Sequence, residues 1–463
     1  MKAIALILAA GRGTRMKSEL IKVLHPILGT PMVMWPIQAA RQAGLSPCLV
    51  VGHQEDRVRA ALKDEVDISF ATQAVPRGTG DAVLCAFPAL PESGQMLVCC
   101  GDTPLLRAQT LATLLQSHHG NLATVLTAKI DDPASYGRIV RDASGAVLEI
   151  VEASEASPEQ LEITEINTGC YVFDIAWLRS ILPSFLPHQP KNEIYLTDAI
   201  AHAAERGKAQ AVVLQDFEEC QGVNDRWALS QAAQVLQHRI CKELALSGVG
   251  FEDPSSNTIE KTVEIAAEAY IERGAILRGK TTIGSHTIVG AYSTIENSQI
   301  ASRVSIQPYT HIADAKVAAH CRIGPYARLR EGSILEESCR IGNFVETKKT
   351  MFAKGAKANH LSYVGDAEVG EAVNIGAGTI TCNYDGFQKH KTTIEEGAFI
   401  GSNSALVAPV HIGAKAIVGA GSTISKDVPS DSIAIVRSPQ KNLAGAAPRF
   451  RAKCKAAKER KQS

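Results

Sequence analysis

The first half of the chain alternates short apolar runs with amphipathic stretches. Two of these stretches, Met32–Ala43 and Leu111–His118, carry apolar residues at helical spacing. Strands and helices that alternate in this way pack as a mostly parallel sheet with helices on both faces, so the pattern predicts an α/β domain. Its strands are predicted at Ala3–Leu8, Cys48–Val51, Ile68–Ala71, Met96–Cys100, Ala123–Lys129 and Cys170–Asp174.

A single long helix is predicted over Asp225–Ser247, where apolar residues recur at three, four or seven positions and form one stripe. Two glycines and a proline, at Gly248, Gly250 and Pro254, end it. We interpret this helix as the connector between two domains. The stripe consists of Leu229, Ala233, Leu236, Ile240 and Leu244.

From about Val263 the apolar residues stand six positions apart, and glycine often follows them. Neither a helix nor an ordinary strand has this period, but a triangular solenoid does, because each hexad forms one flat side with its aliphatic residue inward. At about eighteen residues per coil, Val263–Val428 would make roughly nine coils. The aliphatic residues form three ladders: Ile265, Ile271, Leu277, Ile283, Val289 and Ile295; Val317, Ile323, Leu329, Leu335 and Ile341; Ile394, Ile400, Leu406, Ile412, Val418 and Ile424.

The ladder breaks twice, at Thr347–Tyr363 and near Asn383–Lys391. We interpret both breaks as loops inserted into a rigid solenoid, which is where functional residues tend to lie. The alternative is that the solenoid merely tolerates insertions there.

Composition narrows the classes of function. Lysine plus arginine equals aspartate plus glutamate at 48 each, so no overall field favours nucleic acid or an anionic membrane. The eleven cysteines have no metal-ligand spacing, the first apolar run is too short for a signal peptide, and no stretch approaches a membrane span. These features predict a location in the reducing cytoplasm, with the thiols free. The basic stretch Arg449–Lys461 is interpreted as a disordered, solvated end.

The strand Ala3–Leu8 runs into a turn with two glycines, Gly11 and Gly13. Glycines let backbone N–H groups approach a phosphate, and two cations, Arg15 and Lys22, follow closely. A dinucleotide-binding motif would need a third glycine at Met16, so that interpretation fails.

The blocks Leu8–Met16 and Lys22–Pro26 resemble the signature of sugar-1-phosphate nucleotidyltransferases. Within that group the chain is similar to the bifunctional family that combines N-acetylglucosamine-1-phosphate uridyltransferase with glucosamine-1-phosphate acetyltransferase. The similarity extends over nearly the whole chain. Further matching residues are Gln73, Gly78–Gly80, Gly101–Asp102, Tyr136–Arg138, Ile166–Gly169, Tyr195–Asp198, Gly222–Asn224, Lys354–Asp366 and Asn374–Gly386.

The resemblance implies a Rossmann-like nucleotidyltransferase domain and a C-terminal left-handed parallel β-helix of hexapeptide repeats. The implied boundaries are 1–224, a linker helix 225–250, the β-helix 251–436 and a basic tail 437–463. The implied activities are acetylation of glucosamine-1-phosphate by acetyl-CoA, then transfer of UMP from UTP to N-acetylglucosamine-1-phosphate with release of pyrophosphate. The product would feed bacterial peptidoglycan and lipopolysaccharide synthesis.

The first site implied by the resemblance binds UTP and the amino sugar, with Mg²⁺ held by Asp102 and Asn224. Oxygen ligands of this kind suit a hard cation. Arg15 and Lys22 would bind the phosphates, and catalysis would come from positioning and charge neutralisation. The remaining implied ligand contacts are Leu8, Ala9, Ala10, Gly11, Gln73, Gly78, Thr79, Cys100, Gly101, Gly137, Glu152, Asn167 and Thr197.

The second implied site carries out acetyl transfer, with His360 as the base, because imidazole titrates near working pH. The sugar phosphate would contact Arg330, Lys348, Tyr363 and Asn374, and acetyl-CoA would lie in a groove between neighbouring solenoids of a homotrimer. Its implied contacts are Ala377, Asn383, Tyr384, Ser402, Ala420 and Arg437.

Three departures from the family pattern stand near the first site: Ile21, Cys100 and Ala153–Ser154. They affect the expected rate or nucleotide preference more than the reaction type. Two alternatives stay open at this point. In the first, the solenoid serves only as an oligomerisation arm beside a nucleotidyltransferase. In the second, the whole chain is a non-catalytic sensor of sugar nucleotides. The role of Cys382, reactive or buried, also stays open.

Overall fold

A computed structural model describes residues 3–190 and 192–460 of the 463-residue chain. The chain divides into two compact units at Glu243–Leu244, with the short segment Thr258–Lys261 joining the first unit. No helix in the described part is long and apolar enough to cross a membrane.

The first unit is built on a nine-stranded sheet. Its central strand, Ile4–Leu8, is parallel to both neighbours, Ser46–Val51 and Gln95–Cys100, as the alternating pattern predicts. The strand Glu165–Asp174 is antiparallel to its two neighbours, so the sheet is mixed on that side. The nine strands of this sheet are Ile4–Leu8, Ser46–Val51, Ser69–Thr72, Gln95–Cys100, Ala123–Lys129, Arg138–Arg141, Val147–Val151, Glu165–Asp174 and Ala209–Leu214. Outside this sheet the unit has a short antiparallel pair, Pro26–Ile27 with Thr30–Pro31, and the strand Thr258–Ile259.

Apolar clusters lie on both faces of this sheet, because its central strands are buried on both sides. Leu6 and Val98 belong to one cluster, and Ile7 and Leu97 belong to the other. The α-helices are Met34–Gln42, Glu55–Ala61, Thr79–Ala86, Ala108–Ser117, Pro158–Leu161, Ile175–Ile181, Asp198–Ala204 and Arg226–Leu246, with 3₁₀ turns at Thr14–Met16, Lys22–Leu24, Phe87–Ala89, Leu182–Ser184 and Phe217–Cys220.

The predicted connector helix is present over Arg226–Leu246. Leu236 of the predicted stripe is buried in a third apolar cluster of the first unit together with Ala232, Trp35 and Leu105, and three further stripe residues, Leu229, Ala233 and Ile240, pack against this cluster. The part of the helix up to Glu243 therefore belongs to the core of the first unit.

The second unit is a parallel β-helix, in which short strands of successive coils pair in register along three sides. One side is an eleven-stranded sheet, and the other two belong to a further continuous sheet. The first side holds Gly250–Phe251, Tyr270–Ile271, Ile288–Val289, Ser305–Ile306, Arg322–Ile323, Arg340–Asn343, Lys357–His360, Asn374–Ile375, Phe399–Ile400, Ile417–Val418 and Ile433–Ala434. The other sides hold Glu264–Ile265, Ile276–Arg278, Thr282–Ile283, Thr294–Glu296, Gln299–Ile300, His311–Ala313, Lys316–Val317, Arg328–Leu329, Ser333–Leu335, Glu346–Phe352, Tyr363–Val369, Ile380–Cys382, Thr392–Ile394, Ala405–Val407, Val410–Ile412 and Thr423–Ile424.

All three predicted aliphatic ladders point into the core of this solenoid, since none of their residues is more than 9% exposed. From Ile295 to Ile300 the step between inward-facing residues is five positions instead of six. Ile300 pairs with Ile283 of the preceding coil, so the column of buried residues continues. A strict six-residue count loses the pattern at that point.

The first predicted break, Thr347–Tyr363, is not an inserted loop, and that interpretation is wrong. Glu346–Phe352 pairs with Tyr363–Val369 along six residue pairs, so the coil continues without interruption. Thr347, Phe352 and Ala358 occupy its inward positions and are fully buried. The six-residue pattern disappears there because a threonine, an aromatic residue and an alanine replace the aliphatic residues.

The second break is a true loop, in which Tyr384 and Lys389 form an isolated antiparallel bridge outside the coil. The basic tail also differs from its prediction as a disordered end, because Ala446–Glu459 forms a helix. That helix has no buried residue. Lys461 lies outside the described residues.

Candidate functional sites

The glycine-rich turn after the first strand brings four polar side chains together. Gly13 has a φ of 61°, and a Cβ on it would lie 2.3 Å from the Cβ of Lys22, so glycine is required for this approach. Lys22 Nζ donates to a carboxylate oxygen of Asp102, and it donates to Asn224 Oδ1 at 2.9 Å. Arg15 Nη2 donates to the same Asn224 oxygen at 2.9 Å.

The two predicted metal ligands, Asp102 and Asn224, therefore present oxygen atoms to a common cationic group, the ammonium of Lys22. Asp102 follows the carboxyl end of a central strand, where ligands of α/β folds bind. Two protein oxygens fit Mg²⁺, because this ion usually keeps several waters and binds substrate phosphates. Within residues 3–190 and 192–460 no cluster of three histidine, cysteine or acidic side chains offers a fuller metal site.

A cavity of about 430 Å³ opens at the same edge of the sheet. Seven of the predicted ligand contacts line it: Leu8, Ala10, Gly11, Gln73, Gly78, Thr79 and Glu152. These residues lie close together because neighbouring strands end at the same edge of the sheet. Leu8, the last residue of its strand, pairs with both Val50 and Cys100. The other predicted contacts, Ala9, Cys100, Gly101, Gly137, Asn167 and Thr197, lie outside this lining.

Gln73 is held at the wall of the cavity by its amide nitrogen. Its side chain is buried, and Nε2 donates to the carbonyl of Gly78 at 3.1 Å and to Asp81 Oδ2 at 2.7 Å. The amide is thus oriented with its donors engaged, and its carbonyl oxygen is left to accept a hydrogen bond from a ligand.

The amino-sugar contacts form a second group beside the cavity. Thr197 donates to Glu152 Oε1 at 3.4 Å, and the Asn167 backbone donates to the Gly137 carbonyl at 2.9 Å. Asn167 also donates through its side chain to Tyr171 at 2.7 Å. Hydrogen bonds thus connect Glu152 with Thr197 and Gly137 with Asn167.

Five residues that line the cavity were not predicted as ligand contacts: Pro76, Ala82, Ser154, Glu193 and Tyr195. Tyr195 belongs to the block Tyr195–Asp198, which carries the family resemblance. That block was the sequence signal that could have identified Tyr195 as a ligand contact. Ser154 is one of the departures from the family pattern, and its position bears directly on ligand contact.

Of the other two departures, Ile21 is buried and Cys100 is half-buried. Ile21 is 2% exposed within an apolar cluster, where it takes part in packing. Burial, and then the nearby charge of Asp102, raise the pKa of the Cys100 thiol, so the thiol stays protonated and is a poor nucleophile.

In the second unit the ring of His360 is oriented by a side chain of the preceding coil. Its Nδ1 lies 3.1 Å from the side-chain oxygen of Asn343, one coil earlier. An amide oxygen only accepts, so Nδ1 carries the proton and Nε2 keeps its lone pair. The imidazole lines a cavity of about 400 Å³ together with Arg322, Arg340 and Asn343.

The predicted phosphate cations, Arg330 and Lys348, lie on neighbouring coils with carboxylate partners. Arg330 Nη1 lies 2.8 Å from Glu346, and Lys348 Nζ lies 2.7 Å from Glu331. The hydrogen bond from Lys348 lowers the pKa of Glu331, so this carboxylate stays charged.

Two further predicted sugar contacts lie on different sides of the coil. Tyr363 begins the strand after His360, and its hydroxyl accepts a hydrogen bond from Asn383 Nδ2 at 3.4 Å. Asn374 lies on the first side, in register with Lys357 of the preceding coil.

Three of the predicted acetyl-CoA contacts form a column at one corner of the solenoid. The strands that begin at Asn374, Phe399 and Ile417 are in register. The third residue after each of these starts is Ala377, Ser402 and Ala420, so these residues lie above one another in successive coils. Arg437 Nη1 donates to the carbonyl of Ala420 at 2.6 Å and extends the column. His360 has the same position in the coil before Ala377.

Next to this column the corner residues change character along the solenoid. Tyr292, Tyr309, Tyr326 and Phe344 stack with ring centroids 5.0–5.4 Å apart. At the coil of Ala377 the equivalent residue is Gly378, which leaves the corner narrow. The aromatic stack thus ends at Phe344, and the equivalent corner residues of the next two coils are Leu361 and Gly378.

The remaining predicted contacts, Asn383 and Tyr384, belong to the protruding loop. Asn383 is 7% exposed and donates to Asp366 at 2.5 Å, whereas Tyr384 is 60% exposed. Asp385 accepts from His390 at 2.7 Å, which fixes the loop. Cys382 is half-buried at the base of this loop.

Comparison with known proteins identifies both units. Residues 5–161 match the MobA-like NTP transferase domain, 259–353 match the GMPPB C-terminal domain, and 391–426 match the bacterial transferase hexapeptide repeats. The bifunctional protein GlmU of Pelobacter propionicus is 47% identical over 446 residues, which are 95% of this chain and 97% of that protein. The GlmU proteins of Trichlorobacter lovleyi and Syntrophotalea carbinolica are each 48% identical, covering 95% and 97% of this chain and 97% and 98% of their own lengths.

The chain belongs to the GlmU family. It is a bifunctional uridyltransferase and acetyltransferase of UDP-N-acetylglucosamine synthesis. The predicted fold class is confirmed, with a nucleotidyltransferase domain followed by a left-handed β-helix. This membership removes the sensor hypothesis and the hypothesis of an inert oligomerisation arm.

Proposed function

We propose that the cavity at Gln73 and Glu152 binds the nucleotide sugar and that the cluster around Lys22 carries out uridylyl transfer. The position of the cluster beside the 430 Å³ cavity supports this assignment most strongly. The oriented Gln73 carbonyl would accept from the base, while the phosphates would meet Arg15 and Lys22.

In this reaction an oxygen of the sugar phosphate attacks the α-phosphorus of UTP, and pyrophosphate leaves. The nucleophile is already an anion, so the protein need not supply a base. Lys22 and Arg15 would neutralise the phosphates and hold the reacting groups in line. Mg²⁺ bound through Asp102 and Asn224 would supply further charge stabilisation.

For acetyl transfer we assign the base to Nε2 of His360. The amine of glucosamine-1-phosphate attacks the thioester carbonyl of acetyl-CoA, Nε2 takes the proton from nitrogen, and the thiol of CoA leaves after protonation. The hydrogen bond to Asn343 supports this role, because it leaves the unprotonated nitrogen free. Arg330 and Lys348 would bind the sugar phosphate, with Tyr363 and Asn374 at its hydroxyls.

Acetyl-CoA would lie along the corner column of Ala377, Ser402 and Ala420. This column is open on the surface of a single chain, and a second copy would close it into a groove. We therefore propose a homotrimer formed by the β-helices, in agreement with the hexapeptide repeats. The eleven free thiols support a cytoplasmic location.

Two assays on one purified sample test this proposal. Thiol release from acetyl-CoA with glucosamine-1-phosphate reports the second site, and pyrophosphate release from UTP, N-acetylglucosamine-1-phosphate and Mg²⁺ reports the first. We expect both signals, a requirement for Mg²⁺ in the pyrophosphate assay, and the mass of a trimer in solution. Pyrophosphate release that is unaffected by a chelator would contradict the metal assignment.

A further inference from the structure

His188 forms two ion pairs at the edge of the nucleotide-sugar cavity. Its Nε2 lies 2.9 Å from Asp198 Oδ2, and its Nδ1 lies 3.4 Å from Glu155 Oε2. The imidazole ring also stacks on Tyr195, with centroids 4.4 Å apart and an interplanar angle of 26°. Both ring nitrogens face carboxylates, so the doubly protonated imidazolium is the form that satisfies this arrangement.

The partners of His188 come from two separate parts of the cavity wall. Glu155 lies in the turn that begins at Glu152, since the Glu155 amide donates to the Glu152 carbonyl at 2.9 Å. Asp198 begins the helix that follows Tyr195 and Thr197. An ion pair on each side of one ring therefore joins the turn of Glu152 to the segment of Tyr195.

The same segment also touches the other end of the cavity. His188 and Glu193 exchange two backbone hydrogen bonds at 2.8 and 3.3 Å. The Ile194 carbonyl then accepts from the Gly80 amide at 2.8 Å, and the Leu196 amide donates to Thr79 at 3.1 Å. The segment is thus fixed on the nucleotide side by its backbone, and His188 fixes it on the amino-sugar side.

We propose that His188 is a positioning residue that fastens the segment of Tyr195 to the turn of Glu152 and so holds the amino-sugar end of the cavity in its binding shape. This inference rests on the proposed assignment of the cavity to the nucleotide sugar. His188 does not line the cavity, so it acts through Glu152, Tyr195 and Thr197.

Charge gives this contact a second effect. Burial raises the pKa of Tyr195, and the carboxylates of Glu155, Glu193, Glu152 and Asp198 raise it further, so four acidic groups surround this part of the wall. The proposed ligand carries phosphates and would be repelled by an uncompensated acidic wall. The imidazolium of His188 lies against two of these carboxylates, and its single positive charge offsets one of the four negative charges.

The pH dependence follows from the same contacts. The hydrogen bond to Asp198, and then the charges of Asp198 and Glu155, raise the pKa of His188 above 6.5 despite its partial burial. The ion pairs are fully present below pH 6.5 and are lost as pH rises through the raised value. The charged and titratable groups facing His188 are Glu155 and Asp198, with Glu193 and Tyr195 beside it.

The test compares His188→Phe with His202→Phe in the full chain. Phenylalanine keeps a ring against Tyr195 and removes the charge. His202 is a matched control, because it also stacks on an aromatic ring, Phe185, and lies 3.7 Å from a carboxylate, that of Glu205. It does not line the cavity. Urea titration followed by fluorescence of the three tryptophans, which all lie in the first unit, reports that this unit is folded in each variant.

We expect His188→Phe to raise the KM for N-acetylglucosamine-1-phosphate about two- to fivefold at pH 6.5, the range for partly exposed ion pairs, with kcat changed less than twofold. The KM of the unaltered enzyme should rise towards that of the variant between pH 6.5 and pH 9. His188→Gln should show the same loss of pH dependence, and His202→Phe should behave as the unaltered enzyme.

An unchanged KM and an unchanged pH profile in both His188 variants would overturn the proposal, as would an equal effect in His202→Phe. Glu152→Gln separates this failure from failure of the cavity assignment. If Glu152→Gln raises the KM and the His188 variants do not, only the positioning role is wrong. If Glu152→Gln also has no effect, the cavity assignment is wrong.

Discussion

The two candidate sites are built in different ways on the two units. Around Lys22 the polar groups come from distant parts of the chain, and the Lys22 side chain, which reaches Asp102 and Asn224, is only 11% exposed. Around His360 the groups come from neighbouring coils in fixed register, and the imidazole is exposed. One site is enclosed by a single chain, whereas the other is a surface column.

This difference shows what each fold contributes to catalysis. An α/β sheet gathers strand ends at one edge, so loops far apart in sequence make one cavity. A solenoid repeats a corner in every coil, so it makes a long groove suited to an extended ligand but leaves it open. We infer that the second site depends on a neighbouring copy more than the first site does.

The largest expected effect separates the two sites through His360. Because His360→Ala removes the proposed base, acetyl transfer should fall by about 10²–10⁴-fold while pyrophosphate release stays unchanged. The two assays described above measure this. His411→Ala is the matched control, since His411 is another solenoid histidine with one polar side-chain partner, Glu395 at 3.0 Å. Acetyl transfer within a few-fold of normal would show that His360 is not the base.

The converse separation should come from Asp102. Asp102→Ala removes a proposed metal ligand and the partner of Lys22, so pyrophosphate release should fall by about 10²–10³-fold, with acetyl transfer intact. Asp67→Ala serves as the control, because that carboxylate pairs with Arg41 and is 52% exposed. Retention of uridylyl transfer in Asp102→Ala at saturating Mg²⁺ would refute the assignment.

A smaller effect concerns the free energy of unfolding at acid pH, which should fall in the first unit because of a buried histidine. Burial lowers the pKa of His118 to about 4, and its Nδ1 lies 2.9 Å from Thr124 Oγ1. The neutral form is favoured in the fold, so the stabilisation is present above pH 6.5 and is lost as pH falls towards 4. None of the histidines of the second unit is buried within the described residues.

We expect the free energy of unfolding of the first unit to fall by about 2 kcal/mol between pH 7 and pH 4 from this group. Urea titrations followed by tryptophan fluorescence would measure it, since Trp35, Trp177 and Trp227 all lie in the first unit. His118→Gln should flatten the dependence, and His202→Gln should not. Equal slopes in both variants would contradict the prediction.

Much of the fold could be predicted from spacing, because buried positions must be apolar and each architecture repeats them at its own period. The alternating runs predicted the central sheet, and the six-residue ladders predicted the solenoid. The coil at Thr347–Tyr363 escaped this reasoning, since Thr347 and Ala358 fill inward positions without being large aliphatic residues. The antiparallel strand Glu165–Asp174 also escaped it, because an apolar run does not encode the direction of its neighbours.

For the sites, sequence alone indicated which residue types were present and which family they resemble. That resemblance pointed to the turn after the first strand, to Asp102 and to His360. It did not indicate Tyr195 and Glu193 as parts of the cavity wall, nor the contact of His188 with Glu155 and Asp198. His188 lies 33 positions from Glu155 and 10 positions from Asp198, and the loops between them have no periodic pattern.

The sequence by itself therefore determined the two architectures, since a repeated spacing of apolar residues is a local property of the chain. The tertiary structure decided the environment of each functional group. It set Lys22 between Asp102 and Asn224, gave Asn343 to Nδ1 of His360, and placed His188 between two carboxylates. Such environments arise when distant segments pack together, and their distances fix charge, protonation and access in a way that no spacing along the chain can encode.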